Sequence, residues 1–152
     1  RRVSSTLIRE ALRDGDLRAA ERMLGRPYRI CGRIAHGDKR GRTIGFATAN
    51  IDLHRRVSPV RGVFAVRVHG LEEGVCPGVA NIGSRPTVAG DSRYLLEVHL
   101  FDFDREVYGE HVQVELIHKI REERRFGSFE ELRRQIQSDA FEARARLGPA
   151  AG

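Results

Sequence analysis

The sequence predicts a mainly β domain: a small antiparallel barrel with a helical segment before it and an amphipathic helix after it. Between Pro27 and Ile117, short stretches with two-residue alternation are separated by glycine turns, and no long helical period intervenes. A helical period precedes them from Val3 to about Leu24 and returns after Phe126. At 152 residues, 40% hydrophobic and 32% charged, the chain has the size and mix of one globular domain with its own core.

Taken in order, Ser4 or Ser5 can cap "STLIREAL", Asp14-Gly15 interrupts the pattern, and Asp16 caps "LRAAERML" before Gly25 ends it. The strand candidates are "YRICGRIAH", "ATANIDL", "GVFAVRVHG", "VCPGVANIG", "RYLLEVHLFDF" and "HVQVELIHK". In the third, Phe64, Val66 and Val68 share a face while Arg67 and His69 point the other way. "LEEG", residues 71–74, reads as a hairpin turn. In the fifth, Leu96, Val98 and Leu100 line one face, and Leu95, Glu97, His99 and Phe101 the other. "GVANIGSRPTV" reads as a strand leaving through a polar turn punctuated by Gly83 and Pro86, "VYGEHV" as a turn, and "IREERRF" as a charged run before the helix. Ser128 and Glu131 form a capping box. Phe129, Leu132, Ile136, Ala140, Ala143 and Leu147 then recur at helical steps, which puts one face on the sheet until Gly148-Pro149 stops the helix.

Composition narrows the function classes. No apolar run approaches the ~18 residues of a membrane span, and the charged start "RRVSSTLIREALRDGD" is no signal peptide. Cys31 and Cys76 lie far apart with no CxxC spacing, and nothing in the sequence supports a disulfide, though the count allows one. Structural or incidental thiols in a reducing, cytoplasmic setting fit better. A net charge of +6 and a pI of 10.1 draw polyanions such as nucleotides, but the charge is scattered arginine, with Lys39 and Lys119 the two lysines. A barrel that stacks nucleic-acid bases needs exposed aromatics. This chain has 7% aromatics and no tryptophan, so neither a nucleic-acid nor a membrane partner is expected. The sequence has no initiator methionine and is expected to be a piece of a longer chain.

Three places carry chemistry. Thr48 and Asn50 stand two apart on a strand, so their side chains share a face roughly 6–7 Å apart. Both offer hard neutral oxygens of the kind Mg²⁺ accepts beside substrate phosphates. Upstream, "HGDKRGRTIG" sets Gly37, Gly41 and Gly45 among Lys39, Arg40 and Arg42, either a phosphate-covering loop or a solvated hairpin turn. Glu97 sits mid-strand among Leu95, Leu96, Val98, Leu100 and Phe101, where a carboxylate is costly unless paired, hydrated or used. It is a candidate general base, or a strand-face residue paired with Arg67 or Arg93. His99, on the same face, reads as an ordinary surface histidine. Asn81, Ser84, Arg85 and Thr87 line a pocket rim or supply turn chemistry.

The ordered segments "GRTIGFATAN", "VRGVFAV", "GVANIGSRPT", "LEVHLFDFDREVYG" and "IREERRFGSFEELRRQI" resemble the riboflavin kinase domain of bacterial bifunctional riboflavin kinase/FMN adenylyltransferases, the FAD synthetases. The resemblance runs from about Arg26 to Leu147. It implies a six-stranded Greek-key barrel with a C-terminal helix that phosphorylates riboflavin to FMN with ATP. It further implies that Thr48 and Asn50 hold Mg²⁺, that Glu97 is catalytic, and that Gly37, Lys39, Gly41, Gly45, Tyr108 and Gly109 lie at the nucleotide. Asn81 and Arg121 fall to the flavin. The family's Pro-Thr-Ala-Asn is Ala47-Thr48-Ala49-Asn50 here, which implies a looser loop. Ser4-Ser5-Thr6-Leu7-Ile8-Arg9 resembles the end of the adenylyltransferase module, with Leu7 where arginine is common. The implied domains are 1–25, a helical remnant of that module and linker; 26–148, the kinase; and 149–152, a tail. This chain alone is then expected to make no FAD. The alternative is a flavin- or nucleic-acid-binding barrel without kinase activity.

Overall fold

In the computed structural model the described residues are 5–35, 47–53, 59–86, 90, 92–103 and 105–148. Two helices open the chain, α1 (Ser5–Arg13) and α2 (Leu17–Leu24). Asp16 caps α2 by accepting from the Ala19 amide at 3.0 Å, and Gly25 closes it in the left-handed region. Six strands follow: β1 (Arg29–Arg33), β2 (Ala47–Asp52), β3 (Gly62–Leu71), β4 (Gly74–Pro86), β5 (Ser92–Leu100) and β6 (His111–Arg121). A last helix, α3 (Phe129–Leu147), ends the described chain. Among the described residues no helix is long and apolar enough to cross a membrane.

The strands form one antiparallel sheet in the order β1-β6-β3-β4-β5-β2. β3, β4 and β5 are a meander, and β6 returns to lie beside β3, which is the Greek-key order. The sheet curls until its outer strands meet: Ala35 bridges Asn50, with its amide donating to the Asn50 carbonyl at 2.7 Å. Gly32 makes that approach possible, because a Cβ there would come within 2.5 Å of Ile51 Cγ2. Closing the sheet removes exposed strand edges.

Alternation then sorts the side chains. Phe64, Val66, Val68, Ala80, Ile82, Leu96, Val98 and Leu100 fill the barrel interior, joined by Ala11, Leu12, Leu17 and Ala20 of α1 and α2. On the outer surface Val63, Ala65, Val79 and Phe101 pack under Ala140, Ala143 and Leu147 of α3. Ser128 caps α3 as expected, its Oγ accepting from the Glu131 amide at 3.2 Å. The Glu131 carboxylate accepts from the Gly127 amide at 3.1 Å rather than from that of Ser128, so half of the capping box forms.

Three expectations are corrected. β4 continues through Asn81 and Gly83 to Pro86, so that stretch is strand, not a polar turn; pairing with β5 from Gly78 to Pro86 outweighs the glycine and proline punctuation. β6 likewise takes in Ile120 and Arg121 rather than leaving them in a charged loop. Phe129 does not pack on the sheet. It is 45% exposed, and the helix face meets the barrel only from Ile136 onward.

Candidate active site

β2 and β5 pair so that Asn50 stands opposite Glu97, and Thr48 opposite His99. Directly opposed residues of antiparallel strands share a face, so two polar pairs form a four-residue patch. Leu96, Val98 and Leu100 point inward between them, which places the patch on the outer surface beside α3. The register carries the Asn50–Glu97 row further. Glu97 is opposite Asn81 on β4, Asn81 opposite Val63 on β3, and Val63 opposite Arg121 on β6. Four sequence-predicted site residues from four strands, Asn50, Glu97, Asn81 and Arg121, thus lie along one row.

Within the patch, Thr48 Oγ1 lies 3.3 Å from His99 Nδ1, and His99 Nε2 lies 3.7 Å from Glu97 Oε1. His99 is therefore not the surface histidine expected; it is 6% exposed. Burial pushes its imidazole below the ordinary value of 6.5, with Glu97 and Asp139 pulling the other way, so the ring is neutral at pH 7. Glu97 keeps a quarter of its side chain exposed. Neither arginine expected beside it is spent there: Arg93 Nη1 donates to Asp52 at 3.0 Å, and Arg67 Nη2 to the Leu147 carbonyl at 3.1 Å. One strand over, Asn81 Oδ1 is buried with no hydrogen-bond partner among the described residues, a position that is costly unless something supplies a donor.

The other end of the row is closed. Arg121 grips Asp139 of α3 with Nε at 2.9 Å and Nη2 at 2.7 Å, and its Nη1 donates to the Glu122 carbonyl at 3.0 Å. Gln135 also donates to Asp139, at 2.9 Å. Asp139 is 3% exposed, a buried carboxylate on a helix face that the sequence reading assigned to apolar residues. It was legible only as an i, i+4 partner of Gln135. Phe126 lies under the guanidinium groups of Arg121 and Arg124, at 5.7 and 4.8 Å from its ring centre. It borders a cleft of about 500 Å³ with Arg125, Ser128, Phe129 and Leu132. Gly83, two residues beyond Asn81, is where the Glu123 carboxylate rests against the backbone; a Cβ there would collide with it.

A second groove of about 640 Å³ runs beside the β1–β2 closure, lined by residues 28–35, Asp52, Leu53 and Tyr108. Tyr108 is 56% exposed, and Gly109 takes a φ of 84° while its amide donates to the Ile34 carbonyl at 2.8 Å. Arg105 ties this connection to the β3–β4 hairpin through Glu73 and Glu110, with nitrogen–oxygen distances of 2.6 and 2.8 Å. The basic loop with Gly37, Lys39, Gly41 and Gly45 lies outside the described residues, as do Ser4 and Thr87, and so do the side chains of Ala47 and Arg85.

The family model described as "Flavokinase: Riboflavin kinase" matches residues 24–147. The chain belongs to the riboflavin kinase family. It is 57% identical over 147 residues to the bifunctional riboflavin kinase/FMN adenylyltransferase of Escherichia coli (strain K12), an alignment covering 97% of this chain and 47% of that protein. The Haemophilus influenzae protein of the same description is 56% identical over 144 residues, or 95% of this chain and 46% of that one. The chain thus spans about half the length of these curated relatives. Among solved structures, riboflavin kinase from Trypanosoma brucei superposes with a TM-score of 0.55 at 25% identity, covering 80% of each chain. A Streptococcus pneumoniae protein described as a macrolide-efflux protein superposes at 0.78 with 37% identity, covering 97% of this chain and 48% of that one.

Proposed function

We propose that the chain transfers the γ-phosphoryl group of ATP to the 5′-hydroxyl of riboflavin's ribityl chain, giving FMN and ADP, with Mg²⁺ at the phosphates. The observation that carries this reading is the patch itself. A candidate base, Glu97, stands in register beside two neutral oxygen donors, Thr48 and Asn50, with no arginine neutralising it among its described partners. Glu97 accepts the proton that the hydroxyl loses as its oxygen bonds to phosphorus and the bond to the ADP oxygen breaks. Positioning and electrostatics supply most of the rate in such a transfer.

The donor set suits Mg²⁺, which prefers hard oxygens and keeps part of its shell for water and phosphate. Thr48 and Asn50 would hold it, and when bound it offsets charge on the phosphate oxygens. The buried, unpartnered Asn81 Oδ1 accepts from a hydroxyl of the flavin's ribityl chain. The cleft bordered by Phe126 and Phe129 suits a flat aromatic ring. Arg121 serves the flavin side by fixing Phe126 and α3, since three of its N–H groups already donate inside the protein. Gly37, Lys39, Gly41 and Gly45 cover the phosphates, and Tyr108 and Gly109 meet the nucleotide.

In this reading residues 1–25 end an adenylyltransferase module, 26–148 are the kinase and 149–152 a tail. The full-length protein also converts FMN to FAD, and works in the cytoplasm. The test is to incubate the 152-residue chain with riboflavin and ATP, with and without Mg²⁺, and separate riboflavin, FMN and FAD by chromatography. Metal-dependent FMN without FAD is expected. Flavin binding with no FMN at any metal concentration would overturn the kinase reading, and steady FAD formation would overturn the domain division.

A further inference from the structure

We infer that Arg105, which lies outside the β2–β5 patch, is a positioning residue for the nucleotide: it locks residues 105–110 so that Tyr108 stands as a preset wall of the β1–β2 groove. The inference rests on the phosphoryl-transfer reading for what the groove receives. That Arg105 sets this wall stands on the contacts alone.

A guanidinium carries five N–H groups in one rigid plane, and at Arg105 each of them donates. Nε and Nη2 hold Glu73 of the β3–β4 hairpin as a fork, at 2.6 and 2.9 Å. Nη1 donates to Glu110 Oε2 at 2.8 Å and to the Glu106 carbonyl at 3.0 Å, and Nη2 reaches Glu110 Oε1 at 3.4 Å. The same group lies 5.4 Å from the ring centre of Phe103. Arg105 therefore bonds the two ends of residues 105–110 to each other and both to a neighbouring hairpin. Single surface ion pairs contribute little, but bidentate geometry and a shared network are the exceptions. Lysine is no substitute, since it has three donors and no planar fork.

What this closed turn presents is the second observation. Val107 points into the core, as a turn built for stability alone requires, but Tyr108 is exposed and lines the groove. Gly109 supplies the positive φ that reverses the chain there. Its amide donates to the Ile34 carbonyl at 2.8 Å, and the Ile34 amide donates to the Glu110 carbonyl at 2.9 Å. Ala35 follows Ile34, and its amide donates to the Asn50 carbonyl at 2.7 Å. One run of contacts thus leads from Arg105 through Glu110 and Ile34 to the patch, and Tyr108 stands at the end of the groove nearest to it. An aromatic side chain beside a site for phosphates offers a face to the flat ring of a base. Released from Arg105, the turn would leave that position for part of the time. The groove would then lose affinity in proportion to the time its wall is absent.

The test separates the nucleotide from the flavin. R105K loses the Glu73 fork, and a turn that holds its place a tenth of the time lowers nucleotide affinity about tenfold. The expected result is a KM for ATP and a calorimetric Kd for ADP, both at saturating Mg²⁺, raised about tenfold, with the KM for riboflavin within about twofold of wild type. Y108A should show the same split, and combining the two substitutions should change little more, because both act through one wall. Unaltered nucleotide affinity in R105K, an equal rise for riboflavin, or effects of R105K and Y108A that simply add would each overturn the inference. E110Q leaves the Glu73 fork in place and decides the matter if R105K does not fold. It should give the same split in smaller measure, and no split would overturn the inference likewise. Failure of the kinase reading would appear separately, as a wild-type chain that makes no FMN, while the ADP titrations still decide on Arg105.

Discussion

The two ends of one row of residues are built in opposite ways. At the β6 end, Arg121, Asp139 and Gln135 bond one another in short contacts, with a ring stacked on the guanidinium. At the β2 end, Glu97 is a quarter exposed and meets His99 only at 3.7 Å, and between the ends Asn81 Oδ1 has no partner among the described residues. The closed end holds α3 to the barrel and fixes the shape of the row. On the proposed reading, the open end presents Glu97 and Asn81 to a substrate. Rigidity and reactivity would then be separated along about four strand widths, roughly 15–20 Å.

If that division is right, substitutions at the two ends move different observables. The largest expected effect is on turnover: Glu97→Gln should lower kcat about 10²–10⁴-fold, as for a lost general base, while leaving the melting temperature near wild type. A fall of only a few-fold in initial-rate FMN assays would remove Glu97 from that role. Next comes Asp139→Ala, which strands Arg121 and Gln135 under the helix. It should cost about 3 kcal/mol in denaturant unfolding, at the low end for a broken buried pair because Arg121 reaches solvent. A cost below about 1 kcal/mol would mean the closed end does not hold the shape.

The middle of the row sharpens the contrast. Asn81→Leu removes an unsatisfied oxygen, so the fold should lose little or gain slightly, while the KM for riboflavin rises about tenfold for one lost hydrogen bond. Unchanged KM would sever Asn81 from the flavin. The smallest effect is on stability with pH. His99 is held neutral when folded and takes up its proton more readily when unfolded, so its contribution is intact above about pH 6.5 and is lost as pH falls toward its lowered folded value. Thermal melts of wild type and H99N between pH 8 and 5 should diverge in slope; parallel slopes would show His99 freely protonated in the fold.

Alternation and turn chemistry made the fold readable. Asp16, Gly25 and Ser128 sit where caps were expected, and Phe64, Val66 and Val68 separate cleanly from Arg67 and His69. The limits were physical. Gly83 and Pro86 look like punctuation, yet pairing with β5 from Gly78 to Pro86 overrides such local signals, and Gly83 is there for the close approach of Glu123. Phe129 fits a helical stripe, but periodicity gives an angle around the axis and says nothing about whether the barrel extends far enough to meet it. Thr48, Asn50 and Glu97 were each identifiable as unusual residues; that Asn50 and Glu97 are opposite each other depends on β-register, which no single segment encodes. His99 and Asp139 went unrecognised because burial by a neighbouring strand or helix is a tertiary property, invisible in their own segments.

The measurement that tests the account most directly is a crystal structure of the chain with riboflavin, Mg²⁺ and a non-hydrolysable ATP analogue. The account predicts Mg²⁺ on the oxygens of Thr48 and Asn50, with the ribityl 5′-hydroxyl within hydrogen-bond reach of Glu97, about 2.6–3.2 Å. A riboflavin seated away from the outer face of β2 and β5, with Glu97 touching neither hydroxyl nor phosphate, would contradict it.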